Sequence, residues 1–515
     1  MTMMQINLFG TYYCLKEEII QMLKNGGGSI VNVASAAGLE AQPGNSPYSV
    51  SKFGVVGMTR TTAKVESSRK IYEQVIAAYG LYDDQAVQDY VNSVGQRVAK
   101  HSHLPDMEFH FTVLDDDSIN AFTTGGGYVY VHRGLLSHLN TEAELASVLG
   151  HEIGHVTARH PARQQTRGVL ASVLATGAAI ATGSGAIADL ANIGASAWIN
   201  GYGRENEMEA DRLGLEYSTK SGYRPEAMGE VFEMFRSGEK FELERARAEG
   251  REPNIYHGIF ATHPSPDARS VQAAKLAARI AADPAGGWVE NRDEYLHQID
   301  GMPYGSSRAQ GIVRDNRFYH ADMGITVAFP RGWTVENLRD RIRAFTVAKD
   351  TIMQITIEKR PDNKAPREFL MSQLQGQSIS ASKAISSNGY DGFALVTSTG
   401  SPLDNGAGPV RWIVLYKDKS AFIFAGASRA ASGGRPEADG LFMSVAETMR
   451  ALKPSEAPLA EPYRLKMLKA TATTKLDEYA SKVPVDKYQK EELQLLNGLY
   501  PNKPLAPGQL FKTVD

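Results

Sequence analysis

Hydrophobic residues recur with a helical period in parts of this chain and alternate with polar residues in others. Within residues 66–100, five side chains fall on one face of a predicted helix: Val87, Tyr90, Val91, Val94 and Val98. Phe109, Phe111 and Val113 alternate with polar residues, which predicts a half-buried strand. Residues 145–160 are apolar almost all the way round a helix, and this pattern predicts an element buried in a domain core.

This predicted core helix carries ionisable side chains. His151, Glu152 and His155 form the pattern H-E-x-x-H, in which residues four apart lie on the same helical face. Thr141 and Glu144 form a capping-box pattern that predicts where the helix begins. Burial of ionisable groups is costly unless they are paired or bind a metal. We therefore expect the two imidazoles to share one small cation, with Glu152 at its rim.

A second predicted helix, rich in carboxylates, follows at residues 204–211. Glu207 and Asp211 are four apart and therefore lie on one face of it. Zinc in a hydrolytic site takes three protein ligands and keeps one position open for water. One of these carboxylates can bind the metal while the other accepts the N–H of a ligating histidine. The spacing alone does not decide which carboxylate has which role.

The sequence GHEIGHVTARH, followed by NEMEAD, resembles the zinc metallopeptidase family that contains the CAAX prenyl proteases, the HtpX-type membrane proteases and the bacterial β-barrel assembly-enhancing protease. The resemblance extends over residues 71–280. It implies one zinc ion per chain, held by His151, His155 and Glu207. It further implies that Glu152 is the catalytic base, which takes a proton from the water on the metal, and that Asp211 orients His151.

Two further segments resemble parts of this family. INAFTTGGGYVYVHRGLL is similar to the strand beside the active site, which we expect at the edge of a small sheet, where it pairs with an extended substrate. Its substrate-binding residues would be Tyr128, Val129, Tyr130 and Val131. An ordinary hairpin is the alternative for this segment. THPSPDAR resembles a loop whose histidine, His263 here, approaches the metal in periplasmic members, although a simple loop histidine explains the pattern equally well. Arg204, Tyr202 and His263 are candidates for stabilising the oxyanion.

Three other features are predicted to carry no catalytic chemistry. Asp115, Asp116 and Asp117 are expected to form a solvated turn, and His160 is expected at the surface, away from the metal-binding face. The apolar segment at residues 168–201 is interrupted by glycines and an aspartate. We therefore expect a core element with peripheral membrane contact rather than a membrane span.

The amino-terminal residues 6–62 resemble the carboxy-terminal half of a short-chain dehydrogenase. GGGSIVNVASAAG predicts a strand that ends at Ser35, and Asn7, Ser35, Tyr48 and Lys52 match the catalytic tetrad of that family. The half of the dehydrogenase fold that binds the dinucleotide is missing, so this fragment is predicted to be inactive and to bind no cofactor. The start of the chain shows no export signal, and we interpret residues 1–64 as a dehydrogenase remnant fused to a peptidase by a gene-joining or a gene-calling error.

Composition excludes several classes of function. The formal net charge of −3 leaves no long basic stripe for nucleic acid, and a single cysteine, Cys14, excludes a disulfide framework. A chain of 515 residues is too long for one core, so roughly three or four domains are expected.

We predict a multidomain chain with five segments. They are an N-terminal α/β dehydrogenase-like fragment (1–64), a mainly α gluzincin-like metallopeptidase domain with a small β-sheet (65–285), a linker (286–315), an α+β accessory domain similar to the PsbP or Mog1-like class (316–455), and a small α/β tail similar to a LysM module (456–515). In the accessory domain, strands are expected at residues 324–329, 345–348, 353–359, 392–399, 410–417 and 420–425, and helices at 367–377 and 439–452.

The predicted function is zinc-dependent hydrolysis of peptide bonds in misfolded or unassembled envelope proteins. The resemblance implies a bacterial envelope or periplasmic location, a role in protein quality control and outer-membrane assembly, and contact with outer-membrane proteins or the cell wall. Two alternatives stay open: a zinc-containing chaperone or binding protein of the envelope, and an NAD(P)-dependent oxidoreductase.

Overall fold

The computed structural model describes residues 2–24, 30, 32–35, 37, 46–161, 203–251, 253, 266–280, 287–338, 341–374, 376–402, 407–429, 436–485 and 487–515. The apolar segment at residues 168–201, Tyr202 and His263 lie outside the described residues. Within the described parts, every helix is too short or too polar to cross a membrane.

The amino-terminal region is helical, and its elements are α1 (Thr2–Met4), a π-helical stretch (Gln5–Gly10), α2 (Thr11–Lys24) and α3 (Ser46–Tyr79). Residues 32–35 are neither helix nor strand, so the prediction of a strand ending at Ser35 is wrong at these positions. A strand needs neighbours that pair with its backbone groups, and the described residues supply none there. The end of α3 packs through Tyr72 and Val75 against Tyr130.

The single helix predicted at residues 66–100 is in fact two helices. α3 ends at Tyr79, where Gly80 adopts φ +82°, a conformation that favours glycine and ends helices. α4 (Gln85–Ala99) then begins at Asp84, whose carboxylate accepts from the backbone N–H of Val87 at 3.2 Å. The predicted apolar face of α4 is confirmed, with four valines buried and one tyrosine half-buried: Val87, Val91, Val94, Val98 and Tyr90.

A small three-stranded sheet lies against these helices. Its strands are β1 (His110–Leu114), β2 (Ala121–Gly125) and β3 (Tyr128–His132), in the order β1-β3-β2. β3 pairs in parallel with β1 and antiparallel with β2. The prediction that residues 128–131 form an edge strand is therefore wrong, and the hairpin alternative is confirmed. Both edges of β3 are occupied because β1, which precedes the hairpin in the chain, pairs with its outer side.

The remaining helices of this region are α5 (Arg133–His138), α6 (Glu142–Thr157), α7 (Arg204–Lys220), α8 (Ala227–Glu249), α9 (Pro266–Ala277) and α10 (Arg292–Gln298). α6 lies at the centre of the group, and α4, α7 and α8 pack around it. Every residue of α6 from Glu142 to Val156 is buried, as the pattern predicted for a core helix.

Asp115 and the predicted linker at residues 286–315 both depart from the predictions. Asp115 is buried rather than solvated, because its carboxylate accepts hydrogen bonds from Arg133 Nε at 3.0 Å and Ser307 Oγ at 2.6 Å. The predicted linker at residues 286–315 is also partly wrong. Tyr295 of α10 is fully buried in the same core as α4 and α6, and Met302 belongs to that core as well.

The carboxy-terminal third contains two antiparallel sheets. One has the strand order β11-β12-β13-β14-β10-β9-β8 and the other β15-β7-β6-β5. Their strands are β5 (Ile312–Arg314), β6 (Arg317–His320), β7 (Ile325–Ala328), β8 (Thr334–Asn337), β9 (Arg341–Phe345), β10 (Thr351–Lys359), β11 (Ile379–Ser387), β12 (Tyr390–Thr399), β13 (Ala407–Lys417), β14 (Ser420–Ser428) and β15 (Arg450–Ala451). The helices α11 (Pro366–Gln373) and α12 (Asp439–Glu447) are shorter than predicted. The relation to the PsbP or Mog1-like class stays a prediction.

Some strands of these sheets were not predicted. The predicted strand at residues 345–348 is wrong because these residues leave β9 and enter a turn in which Lys349 has φ +53°. β5, β6, β8 and β11 have no predicted counterpart. β11 is exposed along nearly all of its length, so it lacks the buried apolar face by which a strand is recognised in a sequence.

The tail consists of a strand, two helices and a second strand. Its elements are β16 (Tyr463–Lys469), a 3-10 helix (Leu476–Lys482), α13 (Gln489–Leu496) and β17 (Leu510–Val514), and β16 also pairs with β4 (Pro303–Tyr304). Lys512 of β17 is fully buried, and its Nζ donates to the carbonyl oxygens of Ser137 at 2.7 Å and Leu139 at 2.8 Å. The tail thus contacts the end of α5, just ahead of the start of α6. Its relation to LysM modules stays a prediction.

Candidate metal centre

The start of α6 is fixed by two side chains. Thr141 Oγ1 accepts from the backbone N–H of Glu144 at 3.0 Å, as the capping-box pattern predicted. The Glu144 carboxylate accepts from the backbone N–H of Asn140 at 2.5 Å rather than from that of Thr141. The backbone N–H groups of Asn140 and Glu144 thereby gain acceptors, which fixes where the helix begins. The positions of His151 and His155 along the helix follow from that start.

α6 and α7 approach each other at glycines. A Cβ added to Gly154 of α6 would lie 2.9 Å from the carbonyl oxygen of Ala210 in α7. Real Cβ contacts are essentially never below 3.0 Å, so only glycine permits the two backbones to come this close. The acidic residues of α7 consequently lie directly opposite the histidines of α6.

The structure brings together the three side chains predicted to hold a metal. His151 Nε2 lies 3.0 Å from His155 Nε2, while Glu207 Oε2 lies 3.5 Å from the first and Glu207 Oε1 3.4 Å from the second. All three residues are buried, and one ligand atom from each lies within 4.8 Å of the others. Tetrahedral zinc bonds of roughly 2.0–2.2 Å place two ligand atoms about 3.4 Å apart. The two nitrogens and the carboxylate therefore fit zinc in both spacing and donor type.

Glu152 is fully buried beside this group. With His151 it lines a cavity of about 30 Å³, whose other walls include the apolar side chains of Val148, Met228 and Phe232. The residue predicted as catalytic base therefore lies next to the candidate ligands, on the wall of a small cavity.

A buried arginine, which the sequence had not indicated as a site residue, joins the two carboxylates of α7. Arg269 of α9 donates to Asp211 through Nε and Nη2, each at 2.7 Å, and its Nη1 lies 3.1 Å from Glu207 Oε2. Burial alone would raise the pKa of Asp211, but its hydrogen bonds with Arg269 and His151 outweigh burial and lower that pKa. Two adjacent buried carboxylates need a positively charged partner. The pair Glu207 and Asp211 was therefore the one feature of the sequence that could have indicated a buried basic residue nearby.

Asp211 also contacts the metal face of α6 directly. Its Oδ1 lies 2.8 Å from His151 Nδ1, which directs the other ring nitrogen toward Glu207. Burial by itself lowers the pKa of His151, whereas the Asp211 and Glu207 carboxylates raise it, and the net pKa is about 9. A cation bound at His151 would neutralise the negative charge of these carboxylates.

His160 is not at the surface, and that prediction is wrong. The residue is fully buried, with its Nδ1 2.9 Å from His155 Nδ1 and its Nε2 3.1 Å from Glu209 Oε2. The helical periodicity used to place it does not extend that far, since α6 ends at Thr157 and Arg159 has φ +60°. The chain turns after the helix and brings His160 back beside His155.

The other candidate residues lie away from this group or show no catalytic arrangement. Arg204 is exposed at the first position of α7, and Tyr128 stacks on the ring of His110 with centroids 4.6 Å apart. In the dehydrogenase-like segment, Lys52 Nζ lies 5.7 Å from the centre of the Tyr48 ring. The Ser35 hydroxyl accepts from the backbone N–H of Ala37 at 3.3 Å, and the Asn7 carbonyl accepts from Thr11 at 2.9 Å.

Comparison with known proteins finds matches to two families, in neighbouring parts of the chain that overlap at residues 85–90. Residues 85–277 match the model of peptidase family M48, and residues 1–90 match that of short chain dehydrogenase. Over 207 residues the chain is 35% identical to the Beta-barrel assembly-enhancing protease of Escherichia coli (strain K12), a match that covers 38% of this chain and 40% of that protein.

Two further relatives cover shorter stretches. The chain is 32% identical over 152 residues to the Mitochondrial metalloendopeptidase OMA1 of Arabidopsis thaliana, which covers 29% of this chain and 30% of that protein. It is 52% identical over 59 residues to the 2-dehydro-3-deoxy-L-rhamnonate dehydrogenase (NAD(+)) of Sphingomonas sp. (strain SKA58), which covers 12% of this chain and 24% of that protein. The matched segments span less than half the length of each relative. The chain therefore contains a domain of peptidase family M48 at residues 85–277, with a short-chain dehydrogenase match at its amino-terminal end.

Proposed function

We propose that this protein is a zinc-dependent endopeptidase. The observation that carries the proposal is the convergence of three buried ligands from two helices, His151, His155 and Glu207, beside the buried carboxylate of Glu152. The similarity to a protease and to a metalloendopeptidase over this region supports it. Among the described residues the group offers three ligands rather than the four of a closed structural zinc site, which favours a catalytic over a structural metal.

The chemistry follows from the positions of these side chains. His151, His155 and Glu207 would hold the zinc ion, which would act as a Lewis acid on the scissile carbonyl and make water easier to deprotonate. Glu152 takes the proton of the attacking water and delivers it to the leaving amine. Its carboxylate lies on the same cavity wall as His151, which places it beside the metal position for both proton transfers.

The residues behind the ligands hold them in place. Asp211 Oδ1 lies 2.8 Å from His151 Nδ1, a contact that orients the ring with Nε2 toward the metal position. Arg269 neutralises Asp211 and also contacts Glu207. The two carboxylates can therefore stay ionised and correctly oriented without solvent.

The proposed substrates are unfolded or unassembled proteins of the bacterial envelope. Support comes from the similarity to the Beta-barrel assembly-enhancing protease, which covers 38% of this chain. The expected substrate-binding strand is not β3, whose edges are both occupied. β2 has one edge outside the three-stranded sheet and packs against α6, so we assign the pairing with an extended peptide to β2.

The experiment is a comparison of the wild-type protein with Glu152→Gln. We expect the variant to bind zinc at unchanged stoichiometry, measured by elemental analysis, and to lose cleavage of casein by several orders of magnitude. A matched control is Glu437→Gln, at an exposed position outside the M48 match, which should cleave like the wild type. Full casein cleavage by zinc-loaded Glu152→Gln would refute the assignment of the base.

A further inference from the structure

The two candidate metal histidines differ in what holds their second ring nitrogen. His151 Nδ1 meets a carboxylate directly, that of Asp211 at 2.8 Å. His155 Nδ1 instead meets a second imidazole, His160 Nδ1, at 2.9 Å. The far nitrogen of that ring, His160 Nε2, lies 3.1 Å from Glu209 Oε2. Three side chains in a row, those of His155, His160 and Glu209, therefore lead from the metal position to the rim of the domain.

With Glu209 ionised and His160 neutral, the hydrogen-bonding capacity of these groups assigns each proton to one nitrogen. An ionised carboxylate only accepts, so His160 Nε2 carries the hydrogen that Glu209 receives. In the neutral ring, His160 Nδ1 is then an acceptor. The short contact between the two Nδ1 atoms requires one donor, and His155 must supply it. His155 Nε2 is consequently left with its lone pair directed at Glu207 and His151.

We propose that His160 is a positioning residue that fixes the tautomer and the ring orientation of His155, and that Glu209 fixes His160 in turn. The proposal rests on the proposed function, because it requires a divalent metal at His155. His160 is fully buried while the Glu209 side chain is 39% exposed. The loss of His160 should therefore weaken metal binding more than the loss of Glu209, whose place water can take.

The test compares zinc affinity in four full-length proteins by competition with a chromophoric chelator. They are the wild type, His160→Asn, His160→Leu and Glu209→Gln. Asparagine and leucine have the same branched shape, and only the asparagine oxygen can accept from His155 Nδ1. We expect His160→Leu to weaken zinc binding roughly 10- to 100-fold, His160→Asn to retain most of the affinity, and Glu209→Gln to lose less than His160→Leu. His297→Gln, at an exposed histidine of α10, should bind like the wild type.

Equal zinc affinity in His160→Leu and the wild type would overturn the proposal. A wild-type protein that does not bind zinc would instead refute the proposed function, so the two failures are distinguishable. If His160→Leu does not fold, the nitrogen-15 NMR spectrum of histidine-labelled, zinc-loaded wild type decides. A His155 ring with hydrogen on Nδ1 and metal on Nε2 supports the proposal, and metal on Nδ1 contradicts it.

Discussion

Gly214 of α7 lies against the backbone of α6 at His151. A Cβ added to Gly214 would be 2.6 Å from the backbone nitrogen of His151 and 2.9 Å from the carbonyl carbon of Gly150. Glu207 precedes Gly214 by about two turns of the same helix. The distance between the two helices at Gly214 therefore controls how closely Glu207 approaches the histidines.

Gly214→Ala should push the two metal helices apart. Because the obstructing atoms belong to the backbone and cannot rotate away, we expect a loss of roughly 1–3 kcal/mol in the free energy of unfolding, together with weaker zinc binding. The control is Gly238→Ala in α8, where an added Cβ meets nothing within 4 Å. Helix propensity predicts that this control gains up to about 1 kcal/mol. Denaturant unfolding measures the stability of both variants. Equal stability of Gly214→Ala and Gly238→Ala would contradict the close approach of the two helices at Gly214.

Arg269→Met should destabilise the domain strongly. The substitution leaves the buried carboxylates of Asp211 and Glu207 without their cation, which typically costs about 3–5 kcal/mol. Arg212→Met removes an exposed ion pair with Glu216, whose charged atoms are 3.6 Å apart, and should cost less than about 1 kcal/mol. Adding Asp211→Asn to Arg269→Met should recover part of the loss. Equal effects of the two single arginine variants would show that Arg269 does not neutralise these carboxylates.

Removal of the metal should lower thermal stability. A ligand that binds only the folded state stabilises it by about 2.7 kcal/mol when present at a hundred times its dissociation constant. We expect chelation to lower the Tm measured by calorimetry and zinc to restore it. Glu152→Gln should show the same shift, because Glu152 is not one of the three proposed ligands. A Tm independent of zinc in the wild type would argue against a metal in this core.

Glu456 should contribute to stability only above acidic pH. Hydrogen bonds from Arg450 and from the backbone of Lys453 lower its pKa from 4.5 to about 2. A carboxyl group with a lowered pKa in the folded state adds stability above its unfolded pKa, and this contribution is lost as the pH falls through the folded pKa. Glu456→Gln should therefore be less stable than the wild type at neutral pH, and the difference should shrink between pH 4.5 and about 2. An unchanged difference in urea unfolding across that window would contradict the assignment.

The sequence by itself determined the local parts of the site. The spacing of His151 and His155 places them on one helical face, Thr141 marks the start of that helix, and Glu207 and Asp211 share a face of the next. These relationships span four residues or fewer and depend only on helical geometry. That Glu207, on a separate helix, meets His151 and His155 was expected from the family resemblance and not from helical geometry.

Only the tertiary structure decided which distant side chains surround these groups. Arg269 reaches Asp211 from a separate helix, His160 returns to His155 after the helix has ended, and β3 becomes central because β1 pairs with its outer edge. Each of these contacts depends on how separate segments pack. Packing optimises burial and hydrogen bonding over the whole domain, and no periodicity within one segment records the result.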